Sequence, residues 1–549
     1  MQVMQAIAEV LKREGVSKLF CFPTTPIIEA AAAAGIRPIL CRQERVGVDM
    51  ANGYARAGGA NCPAVFAMQF GPGAENAFPG IASAYSDSTP MLLLPLGQDR
   101  ARSQTHGMFK STRTYASVTK SVEEITLPSE TVNVMRRAFS NLRNARFGPV
   151  MVEVPSDVVE ADFGSDEVIY QPVRGARSCP DTRDIEDAAD MLVAAACPMI
   201  HAGQGVLYAQ ASKQLVALAE LLDAPVMTTI DAKSAFPEDH ALSLGAAGLT
   251  MRNSVYQFMP RADVYFAVGS SLTKHAIVNP PIPDGKKFIQ LTNDARDFNR
   301  GYAIDIPLLG DAALGLDLLV QAVRERLGKK PRDPVRAREI AAMNETWLAK
   351  WNPILQSSEV PITPYREVSE FIRHVNAADA IVTHDSGSPR DQLTPFYQAT
   401  TPGGYIGWGK SHQLGSGLGL AIGAKLARPE KFCVNFMGDA AFGMTGLDFE
   451  TAVRADAPIL TIVMNNNSMA IETTTMKLSH ERYRTRDLGG NYADIARALG
   501  GWSERVTDPA QIGPAIERAR KQTIEGRPCL LEFMTSQETR SSHRRGRPE

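Results

Sequence analysis

This 549-residue chain lacks the features of a secreted, membrane-embedded or nucleic-acid-binding protein. Its seven cysteines (Cys21, Cys41, Cys62, Cys179, Cys197, Cys433 and Cys529) are scattered and form no Cys-x-x-Cys pair. That fits reduced thiols in a cytoplasm, not a disulfide frame or a zinc site. No apolar run reaches the roughly 18 residues that a membrane span needs. The first residues, MQVMQAIAEVLKREGV, lack the basic start and long apolar core of a signal peptide. Formal net charge is only −2, so the global basic field that favours nucleic acid is missing. There is no short repeat of solenoid type. Together these absences predict a cytoplasmic protein.

What is present is an alternation of helix and strand patterns, with 44% hydrophobic residues to fill sizeable cores. The alternation predicts an α/β protein of helices flanking mostly parallel sheets. Three domains are expected. The first is residues 1–165, closing on the strand Pro149-Val-Met-Val-Glu-Val154. The second is residues 184–328, after a polar connector near Arg174 to Arg183. The third is residues 362–535, after the linker-like Gly328-Lys-Lys-Pro-Arg-Asp-Pro334 and a helical connector. Residues 536–549 make a basic tail with Arg540, His543, Arg544, Arg545 and Arg547. The first and third domains are similar in length and each has an early Gly-rich turn, a weak internal symmetry.

The most informative stretch is Met437-Gly-Asp-Ala-Ala441, followed 24 residues beyond Ala440 by Asn465-Asn-Asn-Ser-Met-Ala-Ile-Glu472. An acid ends the apolar run Phe432–Met437, an amide cluster ends Ile459–Met464, and Leu447–Ala455 reads as a helix between them. The crossover in such a unit sets both strands parallel, with their carboxyl ends at one edge. As neighbours they would put Asp439 and Asn466 about one strand spacing apart, roughly 5 Å. A carboxylate and an amide oxygen at that separation suit a hard cation such as magnesium, with room left for phosphate oxygens. Either motif alone is equally a turn or a polar loop.

These motifs resemble those of the thiamine-diphosphate-dependent enzymes of the acetolactate synthase, pyruvate oxidase and 2-oxo acid decarboxylase superfamily, over roughly residues 1–535. Gly438-Asp439-Ala440 stands where the family has Gly-Asp-Gly, with Ala440 a small departure. The resemblance implies that Asp439, the side-chain oxygen of Asn466 and the backbone carbonyl of Ser468 bind Mg2+. It also implies that Gly438, Ala440, Ala441 and Met469 are cofactor-binding. Glu44 follows the strand Arg37–Cys41 and stands where the family's glutamate hydrogen-bonds the aminopyrimidine. There a buried carboxyl of raised pKa makes the cofactor's imino nitrogen basic enough to take the thiazolium C2 proton. Taken alone, Glu44 is also an ordinary helix-start glutamate.

In Gly407-Trp-Gly-Lys-Ser-His-Gln-Leu-Gly-Ser-Gly417, Leu414 matches the residue that bends the cofactor, and the His412 carbonyl would accept from the aminopyrimidine. Lys410 and His412 depart from the small residues common in acetolactate synthases. Gln69-Phe-Gly-Pro-Gly-Ala-Glu-Asn76 is similar to a family loop that lies near the partner chain's cofactor, which implicates Gly71 and Asn76. Glu472 occupies the register of the proton donor and acceptor of 2-oxo acid decarboxylases, or is an exposed first-turn glutamate. His106, Phe109 and Lys110 fall where relatives have Ala-Phe-Gln-Glu or a His-His pair: Phe109 matches the aromatic, Lys110 replaces the glutamine, and His106 is either a substrate contact or an ordinary loop histidine. Relatives use the central domain for flavin, for the ADP of coenzyme A, or for nothing. Gly203-Gln-Gly205 is too weak a signal to predict FAD.

The resemblance implies a thiamine-diphosphate- and Mg2+-dependent enzyme acting on a carbon–carbon bond next to a carbonyl. One class is an acetolactate-synthase-like 2-oxo acid decarboxylase or carboligase. Another is a 2-hydroxyacyl-CoA lyase, with the basic tail either meeting coenzyme A phosphates or simply solvated. A non-catalytic homologue would be expected to lose Glu44 or the metal ligands, and all are present. Because the family's glutamate serves a partner's diphosphate site, a homodimer or homotetramer is implied.

Overall fold

The structure is a computed structural model that describes residues 1–543 except 60, 61, 276, 278 and 329–332. Three six-stranded sheets, each wholly parallel, form its frame. Helices cover both faces of such sheets, so the central strands have no wet side. Runs such as Met91–Gly97 are accordingly buried along their whole length.

The first sheet runs, edge to edge, Arg37–Leu40, Lys18–Cys21, Val65–Met68, Met91–Gly97, Pro149–Pro155 and Ser121–Glu124. The third runs Tyr405–Ile406, Ala380–His384, Phe432–Gly438, Leu460–Asn465, Cys529–Met534 and Trp502–Val506. In both, the order of chain visits is second, first, third, fourth, sixth, fifth. The faint symmetry of the sequence is thus a shared topology. The middle sheet, Ile306–Leu309, Lys287–Thr292, Val264–Val268, Pro198–Ala202, Val226–Thr229 and Ser243–Ala247, follows the doubly wound order instead.

The first and third domains share one hydrophobic core. Its axis is the contact between helix Glu44–Gly58 and helix Ser416–Ala427. Glycine makes the approach possible. A methyl group on Gly53 would lie 2.1 Å from the Leu420 carbonyl oxygen, and one on Gly423 would lie 1.9 Å from that of Met50. Gly419 is also close-packed, a methyl there lying 2.6 Å from Asp49 Cβ and 2.8 Å from the Val46 carbonyl oxygen.

Two local features differ from the sequence reading. The helix after Phe432–Gly438 begins at once, at Asp439–Thr445, and after a tight turn at Gly446–Asp448 resumes as Phe449–Arg454. The expected start at Leu447 missed its first half, because Gly443 and Gly446 interrupt the helical pattern. The described part of the tail, residues 536–543, is not a free solvated end. The Ser542 hydroxyl accepts from Trp347 Nε1 (3.0 Å) and donates to the Met251 carbonyl (2.7 Å). Tyr365 donates to the Arg540 carbonyl at 2.5 Å, and the His543 ring stacks on Tyr256. This end therefore straps the third domain and helix Val335–Leu355 to the middle domain. Arg544, Arg545, Arg547 and most of the expected linker lie outside the described residues.

The helix contact makes a direct prediction. Gly53→Ala drives a methyl into backbone that cannot yield, and should destabilise the protein by about 1–3 kcal/mol or more in denaturant unfolding. Gly443→Ala, where the new methyl meets nothing within 4 Å, should be neutral or stabilising by up to about 1 kcal/mol.

Candidate active site

In a parallel sheet, ligands sit beyond the carboxyl ends of strands, where the strand order reverses. In the third domain that point lies between Ala380–His384 and Phe432–Gly438, and both strands end there in an acid, Asp385 and Asp439. Leu460–Asn465 pairs with Phe432–Gly438, Met464 opposite Gly438, which brings the Asn466–Ser468 loop beside Asp439. Asp439 is the first residue of its helix, and its carboxylate accepts from its neighbour Ala440 N–H at 2.8 Å. Burial pushes its pKa up, opposed by the N–H groups of Ala440, Ser468, Asn467 and Asn466, which all face it. Its Oδ2 is buried and makes no hydrogen bond of ordinary geometry.

The loop opposite is folded on itself. Asn466 Oδ1 accepts from Ser468 N–H at 3.0 Å, and the Ser468 carbonyl accepts from Ala470 N–H at 2.9 Å. Each oxygen keeps a second lone pair. Asn465 is turned away, its amide donating to buried Glu532 at 2.7 Å. Met469 closes the loop through its N–H to the Arg486 carbonyl, and Ala440 and Ala441 lie in the first turn of the Asp439 helix.

Glu44 is the first residue of its helix and is 4% exposed. Burial raises its pKa, against its own backbone N–H and the Asn76 amide, which donates to Oε2 at 3.2 Å. Gly71, at φ +61°, turns the chain into helix Pro72–Ser86, which carries Asn76. Among the described residues no hydrogen bond or ion pair joins Glu44 to Asp439 or Asn466 within one chain. The two halves of the expected site are built separately.

The Gly-rich turn is held from several sides. Asp385 accepts from Gly415 N–H (2.8 Å) and Gly417 N–H (3.0 Å). Ser386 Oγ donates to the His412 carbonyl at 2.9 Å, and Arg45 donates to the Leu414 carbonyl. Leu414 is half-buried against the shared core. His412 takes a left-handed φ of +40°, uncommon outside glycine, and leaves its ring exposed. Lys410 does not stand free: it pairs with Asp231 of the middle domain at 2.9 Å. Burial disfavours the Asp231 charge, but Lys410, Thr229 and Arg56 hold its pKa down at about 2.

The remaining candidates are more exposed. Glu472 lies in the short 3-10 turn Ala470–Thr474, half-buried, and accepts from Thr475 Oγ1 at 2.7 Å. His106 and Lys110 are exposed, Lys110 bonding the Ser103 carbonyl, while Phe109 packs edge-on against Tyr115. Gly203 and Gly205 serve close packing: a methyl on either would lie within 2.7 Å of Gly269. Beside them a cleft at the switch of the middle sheet is lined by Gln204, Tyr208, Ser270, Asp297 and Asp311.

Sequence reasoning passed over Asp385, Asp49, Arg45 and Asp448. An acid closing the apolar run Ala380–Thr383 was a readable signal for Asp385. Asp49 is wholly buried on the helix of Glu44, and burial raises its pKa well above the carboxylate range despite Arg45. Asp448 accepts from Arg42 N–H and Thr451 Oγ1, both at 2.8 Å.

Three parallel-sheet domains, with acids at the strand-order reversal of the third, define a class of three-domain α/β proteins that bind ligands at sheet edges. The family models named thiamine pyrophosphate enzyme match the chain in all three domains: the N-terminal TPP binding domain at residues 1–117, the central domain at 185–319 and the C-terminal TPP binding domain at 385–533. The chain belongs to this family. It is 27% identical to a probable acetolactate synthase large subunit of Methanocaldococcus jannaschii, covering 97% of this chain and 92% of that protein. It is 29% identical to a sulfoacetaldehyde acetyltransferase of Rhodobacter capsulatus, covering 99% and 96%. It is 26% identical to a glyoxylate carboligase of Escherichia coli O157:H7, covering 99% and 94%.

Asp448 gives a pH test of the joint between the first and third domains. Burial pushes its pKa from the ordinary 3.8 to about 6. Its stabilising contribution is present below the unfolded pKa and is lost as pH rises through about 6. Asp448→Asn keeps both hydrogen bonds, since both use Oδ1. Between pH 4 and pH 7 the wild type should lose on the order of 2–3 kcal/mol relative to this variant in pH-dependent unfolding.

Proposed function

We propose that this protein is a thiamine-diphosphate- and Mg2+-dependent enzyme that makes or breaks a carbon–carbon bond beside a carbonyl, of the 2-oxo acid decarboxylase or carboligase kind. The observation that carries this is the buried, unpartnered Oδ2 of Asp439 facing the Asn466–Ser468 loop across adjacent strand ends. Asp439 Oδ2, Asn466 Oδ1 and the Ser468 carbonyl are hard oxygen donors that fit Mg2+, which retains sites for diphosphate oxygens. Relatives named acetolactate synthase and glyoxylate carboligase support the substrate class.

The chemistry of thiamine diphosphate, when bound, is a thiazolium that accepts the electron pair left on a carbonyl carbon. The protein's own part is binding, orientation and proton handling. Glu44, its buried carboxyl positioned by Asn76 and its pKa raised by burial, would meet the aminopyrimidine. Leu414 supplies an apolar wedge and the His412 carbonyl a hydrogen-bond acceptor. Glu472, half-buried, would exchange protons with the reacting group. Glu44 serves the diphosphate site of a second copy of the chain, so the active unit is a homodimer or a larger homo-oligomer.

Calorimetric titration of the apo protein with thiamine diphosphate should show tight uptake only with Mg2+, and Asp439→Ala should abolish the Mg2+-dependent part. No uptake by the wild type would end this reading. Turnover is then surveyed with pyruvate, glyoxylate, aromatic 2-oxo acids and 2-hydroxyacyl thioesters, the last arm testing the acyl-CoA alternative. On the best substrate, Glu44→Gln and Glu472→Gln should each lower kcat by about 10²-fold or more. Full retained rate in either variant would remove that residue from the mechanism.

A further inference from the structure

We infer that Asp385 is a positioning residue: its carboxylate holds the Gly-rich turn in its working shape before any ligand arrives. This rests on the reading above that the turn bearing His412 and Leu414 receives the cofactor. Asp385 ends the strand Ala380–His384, at the strand-order reversal of the third sheet, and is fully buried. Its two oxygens take three backbone donors: Oδ1 accepts from Ser386 N–H (2.8 Å) and Gly415 N–H (2.8 Å), and Oδ2 from Gly417 N–H (3.0 Å). One side chain thus ties the end of one strand to both sides of a turn some 30 residues further on. Its own N–H is fixed to the Phe436 carbonyl of the next strand.

The turn needs such a tie because its backbone is not self-supporting. Gly415 sits at φ +94°, a conformation without repeating hydrogen bonds, and its N–H is buried. Around it the other polar groups are also met by protein. Thr445 Oγ1 donates to the Gly415 carbonyl at 2.9 Å, Ser386 Oγ to that of His412, and Arg45 to that of Leu414. A carboxylate is the group required, since an amide would offer one acceptor oxygen and turn an NH2 toward the Gly417 or Gly415 N–H. A buried donor facing a donor is costly, so the turn would move. Among the described residues its side chain makes no hydrogen bond to the side chains of Asp439, Asn466 or Leu414; it acts through the backbone of the turn.

The test uses the full-length protein. In the apo wild type, hydrogen exchange resolved to single residues should show the 415–417 segment, whose Gly415 and Gly417 amides donate to Asp385, protected as strongly as the rest of helix Ser416–Ala427. Free exchange of that segment overturns the proposal without any variant. Asp385→Asn should lose this protection at least tenfold. Titrated with thiamine diphosphate and Mg2+, and followed by the fluorescence of neighbouring Trp408, it should bind at least tenfold more weakly than wild type. At saturating cofactor, exchange of the bound cofactor's C2 proton with deuterium should slow at least tenfold, which a general loss of stability would not produce. Wild-type protection, affinity and C2 exchange in Asp385→Asn would overturn the positioning role alone. A wild type that binds no thiamine diphosphate overturns both this role and the cofactor reading.

Discussion

The architecture depends on two helices that touch backbone to backbone. Helices Glu44–Gly58 and Ser416–Ala427 approach so closely at Gly53, Gly419 and Gly423 that no side chain fits between them. Close packing of this kind tolerates little error, because interiors are as dense as organic crystals. Glu44 opens one helix and the turn of Leu414 leads into the other. Within a chain, therefore, the carboxyl expected to serve one cofactor and the wedge expected to serve another ride on a single rigid joint. The Arg45 bond to the Leu414 carbonyl runs across that joint.

Around it the protein spends buried charge generously. Asp49, Asp385, Asp439 and Asp448 are each 3% exposed or less, and burial raises the pKa of every one. Buried carboxylates are tolerated when hydrogen-bonded. Asp385 and Asp448 are satisfied by backbone N–H groups, whereas Asp439 keeps an oxygen without a partner. Both oxygens of Asp49 also lack a hydrogen-bond partner, but that acid lies within a helix beside Arg45, so it is the free oxygen together with its place at the strand ends that singles out Asp439. At the middle domain the balance reverses: Lys410 and Arg56 outweigh burial and keep Asp231 ionised.

Much of this was legible in the chain because it is local. An acid and an amide that each close an apolar run must emerge at the same sheet edge once the strands are parallel, and Asp439 and Asn466 do. Glu44 was legible for the same reason, as a residue between a strand and a helix. The residues passed over act at a distance. Asp385 reaches donors 30 and 32 residues away, and Lys410 meets Asp231 at a separation of 179 residues. Nothing in a local pattern announces such partners. The tail misled for another reason: it lacks apolar periodicity because Ser542 is anchored by hydrogen bonds instead of hydrophobic packing.

That anchor sets an order of events during synthesis. Ser542 bonds Trp347 and Met251, residues 195 and 291 positions earlier in the chain. Domains fold as they leave the ribosome, amino-terminal first. Other bonds across the seam between the middle and third domains, such as Lys410 to Asp231 and Arg252 to the Pro395 carbonyl, need nothing beyond residue 410, and the Ser542 clasp closes over them only once residue 542 has emerged.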